Sequence, residues 1–455
     1  MDPIREGSHS MGAIFGGLSA GRLQTMFGRK NVLIYNSFTW IIGGVLLGAS
    51  VNPVMFICGR IITGIGTGVG SAVIPIYLGE ISTIKSRGLV GSVYQVSAVT
   101  GGVASQLVGL SLSFIPGWRI LLTLTSVIAI FQLVVMPIMG VESPRYLISQ
   151  NKFDEAKVTL QKLRKGYNID LEFEEIIQGQ SEKQINVIND NNIEKGEKYI
   201  QSSLVDTDNQ LEIRQSASFK ELLQDSYCRR MFFVCIGTHL AQQLSGIQGI
   251  VVYSTAIFLN VMGDSAKYVS IIISGTTLIV TLISTFVIDK VGRRPLLLTS
   301  EIGVTMWVRY EIQILIISAV HKTESRFQKF NMGLRFELLS NRDYRKVYSF
   351  SDKFSLVFKV LLHVTTFGIA LGSLPFFIIS EVIPTRFVSL VGSICLGTNW
   401  TLNFLVSFIF PVMKEALKEY TFLVFGVITF CFVILTWIFV PETKGKSIEE
   451  TTSRK

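Results

Sequence analysis

Runs of about twenty apolar residues recur along this chain, and each is long enough to cross the ~30 Å hydrocarbon core of a bilayer as a helix. They occupy 31–50, 54–79, 89–112, 119–140, 230–261, 266–288, 354–380, 387–413 and 420–440, separated mostly by short polar turns. Only 16% of the residues are charged, against about a quarter in a soluble protein. The mean hydropathy is +0.46. These features specify an all-α, multi-pass membrane protein. A membrane barrel would instead show alternating segments of about ten residues.

The net charge of +9 does not point to nucleic acid, because the basic residues gather at alternate ends of the apolar runs. They lie at Arg29–Lys30, Lys85–Arg87, through 149–230, at Lys290–Arg294, at Arg386 and at Lys444–Lys446, whereas 51–53, 113–117 and 262–265 are nearly free of them. The positive-inside rule assigns the basic set, and the C-terminus with it, to the cytoplasm. The five cysteines and four histidines have no paired spacing, so no disulfide framework, metal or cofactor is expected. Residues 1–9 are polar and do not read as a signal peptide.

A polar segment splits the apolar runs. The expected organisation is an N-terminal transmembrane half at 1–148, a cytoplasmic linker with helices at 149–229, a C-terminal transmembrane half at 230–440 and a cytoplasmic tail at 441–455. Within the linker, Phe153 to Leu163 reads as an amphipathic helix and Phe219 to Leu223 as the start of another, while 180–210 has little apolar content. The halves repeat each other. Gly28-Arg29-Lys30 echoes Gly292-Arg293-Arg294, Glu80 followed by Arg87 echoes Glu381 followed by Arg386, and Glu142 with Arg145 echoes Glu442. Internal repeats of this kind underlie the pseudo-symmetry of secondary transporters.

The repeat has one irregularity. Gly28 and Gly292 stand 264 positions apart (292 − 28), but Glu80 and Glu381 stand 301 apart (381 − 80). The second half thus carries an atypical stretch, 306–353, in which 321–353 alone hold eight basic side chains. The run that should form the preceding span also contains Glu301, Arg309 and Glu311.

Six motifs occur in order: Gly21 with Gly28-Arg29-Lys30; Gly59-Arg60 with glycines 64, 66, 68 and 70; Glu142-Ser143-Pro144-Arg145; Gln242-Gln243-Leu244-Ser245-Gly246; Asp289 with Gly292-Arg293-Arg294; and Pro441-Glu442-Thr443-Lys444-Gly445. In combination they resemble the sugar porter family of the major facilitator superfamily, with the nearest look to eukaryotic, fungal-type hexose carriers. The resemblance implies the major facilitator fold, two six-helix halves. This chain begins where the second family helix would begin, with 11–25 as a short version of it. It is therefore expected to lack helix 1 and to have a disrupted helix 9.

A sugar presents hydroxyls, and a side-chain amide both donates to and accepts from them. Amides within the apolar runs are thus the place to look, since a polar group in the membrane is costly unless used. The candidates for substrate binding are Gln95, Gln242, Gln243, Gln248, Asn399 and Asn403, with Phe376 as an aromatic wall. By resemblance, Gln95 is the helix-five glutamine and Gln242 and Gln243 the paired glutamines of helix seven. Gln106 reads as structural, because a lone membrane amide more often staples helices together. Thr277, Gly368 and Val252 depart from the family pattern, while Tyr253 keeps the second of two gate tyrosines.

Gly246, Gly372 and Pro375 mark places where helices seven and ten break, and broken helices suit moving gates. By resemblance, Arg29, Glu80, Arg87, Glu142, Arg145, Arg293, Arg294, Glu381, Arg386 and Glu442 tie helix ends together on the cytoplasmic side. Thr25 replaces an acid of the first cluster. Arg60 is the candidate coupling residue. In proton-coupled members it faces an aspartate of helix one. The implied function is alternating-access transport of a monosaccharide, facilitative or proton-coupled, with no enzymatic chemistry. The expected setting is a plasma or vacuolar-type membrane, as a monomer in the lipid bilayer with no nucleic-acid partner. Two further readings stand beside it: a non-transporting sugar sensor, and an incomplete, inactive gene product.

Overall fold

The computed structural model describes residues 3–83, 87–112, 114, 116–174, 176–177, 219–306, 357–417 and 420–443. The atypical 306–353 stretch beyond Met306, the linker from 178 to 218 and the tail from 444 lie outside these residues. The described chain is helical almost throughout, as a bilayer demands of any segment that cannot hydrogen-bond to water.

Five long helices come first: α1 (Pro3–Phe27), α2 (Arg29–Gly48), α3 (Pro53–Ile81), α4 (Arg87–Ser111) and α5 (Gly117–Met139). Two short helices follow, α6 (Pro144–Ser149) and α7 (Phe153–Leu163). Asn52 caps α3 by accepting from the Met55 N–H at 2.8 Å, and Pro53 takes the first turn, where no amide hydrogen is needed.

The first helix corrects the sequence reading. The 11–25 run is the later part of α1, which starts at Pro3 and is 25 residues long. Ser8, His9 and Ser10 lower the hydropathy of its early turns without facing away from the protein. Ser8 and Ser10 are buried, and Ser10 Oγ donates to Asn403 Oδ1 at 2.8 Å. His9 lies within hydrogen-bonding distance of Thr63 and Thr67 on α3. Small residues let α1 and α3 approach: a Cβ at Gly12, Gly16, Gly64 or Gly68 would collide with the facing backbone.

The later part holds α8 (Phe219–Gln224), α9 (Ser226–Leu244), α10 (Ile247–Met262), α11 (Ala266–Val291), α12 (293–306), α13 (357–369), α14 (Leu374–Val382), α15 (Thr385–Leu417) and α16 (Thr421–Phe439). Helices lie at Phe153–Leu163 and Phe219–Gln224, where the sequence pattern places them, as α7 and α8. The run 230–261 is two helices, α9 and α10. Gly246 breaks them with φ +82, and a Cβ there would also meet the Phe425 ring at 2.9 Å. The run 354–380 is likewise α13 and α14, separated by turns at 370–373 and restarted with Pro375 in the first turn of α14.

The largest apolar core lies among the later helices and includes Phe258, Leu297, Leu371 and Phe387. A smaller one among the earlier helices is built around Leu33, Val73 and Tyr77. Helix α1 packs on α15, and α4 on α11, so these pairs connect the earlier helices to the later ones. Outward faces stay apolar: Val127, Ile128, Phe131, Val134 and Ile138 of α5 are all exposed, the mark of a face turned to lipid.

Candidate functional site

Five of the seven residues proposed to bind substrate come together where α9, α13, α14 and α15 meet. Gln242 lies in the last turn of α9 and is buried. Its Nε2 donates to the carbonyls of Leu371 (2.8 Å) and Gly372 (3.1 Å), two groups that the break between α13 and α14 leaves without helical partners. Its Oε1 accepts from Asn399 Nδ2 at 2.7 Å. Asn399 Oδ1 accepts in turn from Gln243 Nε2 at 3.1 Å, and Gln243 Oε1 accepts from Asn403 Nδ2 at 3.4 Å. Asn403 completes the chain through Ser10 of α1.

All four amides are at most 7% exposed, so the bonds run through a water-poor interior where each is worth keeping. Their spare capacity differs. Gln242 spends both amide hydrogens on the broken helix, and Asn399 spends both of its own on Gln242 and His239. Among the described residues, Gln243 and Asn403 each keep one amide hydrogen uncommitted. The two asparagines are four residues apart on α15 and therefore share its face.

Phe376, on α14, meets the ring of His239 edge-on at 5.4 Å and that of Tyr94 at 5.7 Å. A small cleft beside them is lined by Ser71, Pro75, His239, Phe376, Ser380 and Gly392, with Ser380 next in sequence to Glu381. Gln95 reaches the break from α4, with its Nε2 3.7 Å from where a Cβ on Gly372 would sit. Gln248 is half-buried in the first turn of α10 and takes no part in the amide chain. Tyr253 donates to the Ser407 carbonyl at 2.8 Å and stacks on Phe410, tying α10 to α15.

At the charged end the repeat becomes geometry. Arg29 meets Glu80 at 2.9 Å, and Arg293 meets Glu381 through both Nε and Nη2, at 3.1 and 2.8 Å. Glu142 Oε1 accepts from the backbone N–H groups of Arg29 and Lys30, and Glu442 accepts from those of Arg293 and Arg294. Each glutamate thus caps the N-terminus of a helix far from it in sequence, placing a carboxylate at the positive end of the helix dipole. Gly28 and Gly292, with φ +84 and +107, turn the chain so that these N–H groups converge. Glu381 Oε2 also accepts from Thr443, whereas Glu80 Oε2 is buried and has no partner among the described residues.

The family described as Sugar (and other) transporter matches residues 7–454 of this sequence. The chain belongs to that family. The transporter is 30% identical over 452 residues to solute carrier family 2, facilitated glucose transporter member 2, of Gallus gallus, covering 97% of this chain and 73% of the relative. It is 30% identical over 450 residues to sugar transporter ERD6-like 6 of Arabidopsis thaliana, covering 98% and 80%. Among solved structures, the proton:xylose symporter XylE bound to 6-bromo-6-deoxy-D-glucose superposes with a TM-score of 0.76 at 20% identity, covering 99% of this chain and 88% of that one. An inward-open XylE from E. coli gives 0.64, also at 20% identity and the same coverage. The fold of this transporter is therefore that of the major facilitator superfamily, and the protein is a multi-pass membrane protein.

Other expected residues of the transporter fall as follows. Arg60 is half-buried in α3, and its backbone carbonyl accepts from Thr63. Arg145 lies in α6, Arg87 starts α4, and Arg386 is in the first turn of α15. The side chains of Arg87 and Arg386 lie outside the described set. Thr25 bonds back to the carbonyls of Gly21 and Arg22, so it does not take the acid's place in the charged cluster. Gly368 brings α13 onto α11, where a Cβ would lie 3.1 Å from Val280.

Three participants escape the sequence reading: His239, Tyr94 and Ser10. His239 is fully buried and its Nδ1 lies 3.1 Å from Asn399 Nδ2. Its signal is present, since it stands three residues before Gln242 and so on the same helical face. Tyr94 and Ser10 offer no such signal, because tyrosine and serine are common in membrane helices for packing alone.

Proposed function

We propose that this transporter carries a monosaccharide of the hexose type across its membrane by alternating access. The observation that carries the reading is the continuous amide chain from Gln242 through Asn399 and Gln243 to Asn403, buried where two broken helices meet. An amide array is suited to a neutral polyol, because each group donates and accepts without adding charge to the interior. Gln243, Asn403 and Gln95 supply hydrogen bonds to sugar hydroxyls, Gln248 joins them from α10, and the Phe376 ring covers a C–H face of the sugar. Gln242 and Asn399 hold the frame.

In this reading the breaks at Gly246 and at Gly372–Pro375 are the gates, with Tyr253 as the latch of α10. The Arg29, Glu80 and Glu142 cluster and the Arg293, Glu381 and Glu442 cluster, with Arg87, Arg145, Arg294 and Arg386, close the charged end, which faces the cytoplasm. The halves 1–148 and 230–440 rock about the site. The relatives' names support a sugar as substrate: facilitated glucose transporter member 2 and the proton:xylose symporter XylE. Uptake of radiolabelled hexoses into proteoliposomes tests the proposal. Saturable uptake that weakens in Gln243→Ala is expected. Uptake equal to that of empty vesicles across a panel of hexoses and pentoses, from protein shown to be folded, would sink it.

A further inference from the structure

Glu301 stands in α12 with 0% of its surface exposed, one turn from Leu297 and close to Val304, both fully buried apolar side chains. Its Oε1 accepts one hydrogen bond, from Thr436 Oγ1 on α16 at 2.9 Å. Its Oε2 is buried and has no partner among the described residues. The charged groups nearest along the same helix are committed elsewhere: Arg293 to Glu381, and Arg294 to the Trp437 carbonyl. On α13, which packs here through Thr366, the buried titratable group is His363, one turn from Thr366. On α16, Thr436 is the polar group that meets Glu301. Among the described residues, no cation forms an ion pair with Glu301.

An ionised carboxylate in such a place costs several kcal/mol, and a single neutral hydroxyl does not offset it. A neutral carboxylic acid loses far less. We propose that Glu301 is a proton-binding site inside the transporter, holding its proton on the carboxyl group within the membrane. The adjacent Ser300, also fully buried, donates to the Thr366 carbonyl at 2.7 Å and accepts from the Leu371 N–H at 3.3 Å. The Leu371 carbonyl is the 2.8 Å acceptor of Gln242. Loss of the Glu301 proton therefore places a charge one residue from the anchor of the 370–373 break. Sugar affinity should fall as the group ionises. That consequence rests on the sugar-binding reading above; occupancy by the proton does not.

Infrared spectroscopy of the full chain in lipid vesicles decides occupancy. A carboxylic-acid C=O band should be present at neutral pH, shift on exchange into heavy water, vanish in Glu301→Gln and persist, displaced, in Glu301→Asp. A wild-type spectrum from which Glu301→Gln removes no such band overturns the proposal. If Glu301→Gln fails to insert, Glu301→Asp decides in its place: a displaced band supports the proposal, and an undisplaced one overturns it. Hexose uptake then tests the coupling. The wild type should lose at least threefold more uptake than Glu301→Gln between neutral and alkaline pH. Identical profiles would overturn the coupling, and absence of uptake in every variant would count against the carrier reading while leaving the infrared result standing.

Discussion

Gln242 and Asn399 share a 2.7 Å hydrogen bond between their side-chain amides, joining α9 to α15 beside the place where α13 stops. Because Gln242 Nε2 also holds the Leu371 and Gly372 carbonyls, one side chain fixes three elements.

Truncating it should therefore act on stability first. Gln242→Ala leaves two backbone carbonyls and the Asn399 amide short of partners, at about 1–3 kcal/mol for each buried group. The thermal midpoint in detergent should drop clearly, and uptake should fall by more than about tenfold, since 1.4 kcal/mol already makes that factor. Gln243→Ala gives up its bonds to Asn399 and, at a long 3.4 Å, to Asn403, and one to sugar, but leaves no backbone carbonyl without its donor. Its midpoint should move little while its apparent KM rises about five- to tenfold, corresponding to roughly 1 kcal/mol. If Gln243→Ala unfolds the protein and Gln242→Ala does not, the division between frame and contact is wrong.

That division shows what can be read from the sequence and what cannot. The paired glutamines and Asn399 stand out because amides are rare and costly in apolar runs. Which of them faces sugar depends on where the broken helix leaves its carbonyls, and Leu371 and Gly372 carry no side-chain signal of that role. The first span is hidden for a related reason. Ser8, His9 and Ser10 lower the hydropathy of α1, yet Ser8 is buried, His9 meets α3 and Ser10 bonds to α15. Glu301 reads as a defect in a span until its hydroxyl partner on α16 is in view. Hydropathy records what a residue is, and burial in a membrane depends on what it meets.

The aromatic wall gives a second prediction. The Phe376 ring is held edge-on by His239 and Tyr94, so its face is set by neighbours rather than free to turn. Phe376→Leu keeps apolar bulk but removes the flat surface. Its apparent affinity for hexose should fall severalfold, matching the about 0.5–1.5 kcal/mol that aromatic geometry adds beyond burial. Phe376→Trp should retain most of it. Equal KM values for the Leu variant and the wild type would remove Phe376 from the site.

The two charged clusters should respond unequally to neutralisation. Arg293 grips Glu381 through two nitrogens and three bonds and Thr443 adds a fourth, while Arg29 reaches Glu80 through one. Glu381→Gln should therefore open the charged end more than Glu80→Gln. The readout is the modification rate of a cysteine placed at Ser380, which lines the cleft, by a membrane-impermeant reagent in a background without Cys58 and Cys431. At least a threefold faster reaction in Glu381→Gln than in Glu80→Gln is expected. The reverse order would show that bond count does not set the strength of the closure.

The sharpest test of the repeated corner is at Gly292. Its φ of +107 lies where side chains rarely go, and a Cβ there would sit 2.7 Å from Glu442 Oε2. An alanine must therefore either leave this backbone region or push away the carboxylate that caps α12. The backbone cost alone is roughly 1–3 kcal/mol, and loss of the cap adds about 1 kcal/mol. Gly292→Ala should lower the thermal midpoint, and Gly28→Ala, which crowds Glu142 in the same way, should do so by a similar amount. Adding Glu442→Gln to Gly292→Ala should cost less than the two single changes summed, because both act on one cap. Strict additivity, measured by thermal denaturation of the four proteins, would mean that the glycine and the glutamate do not act through the same helix end.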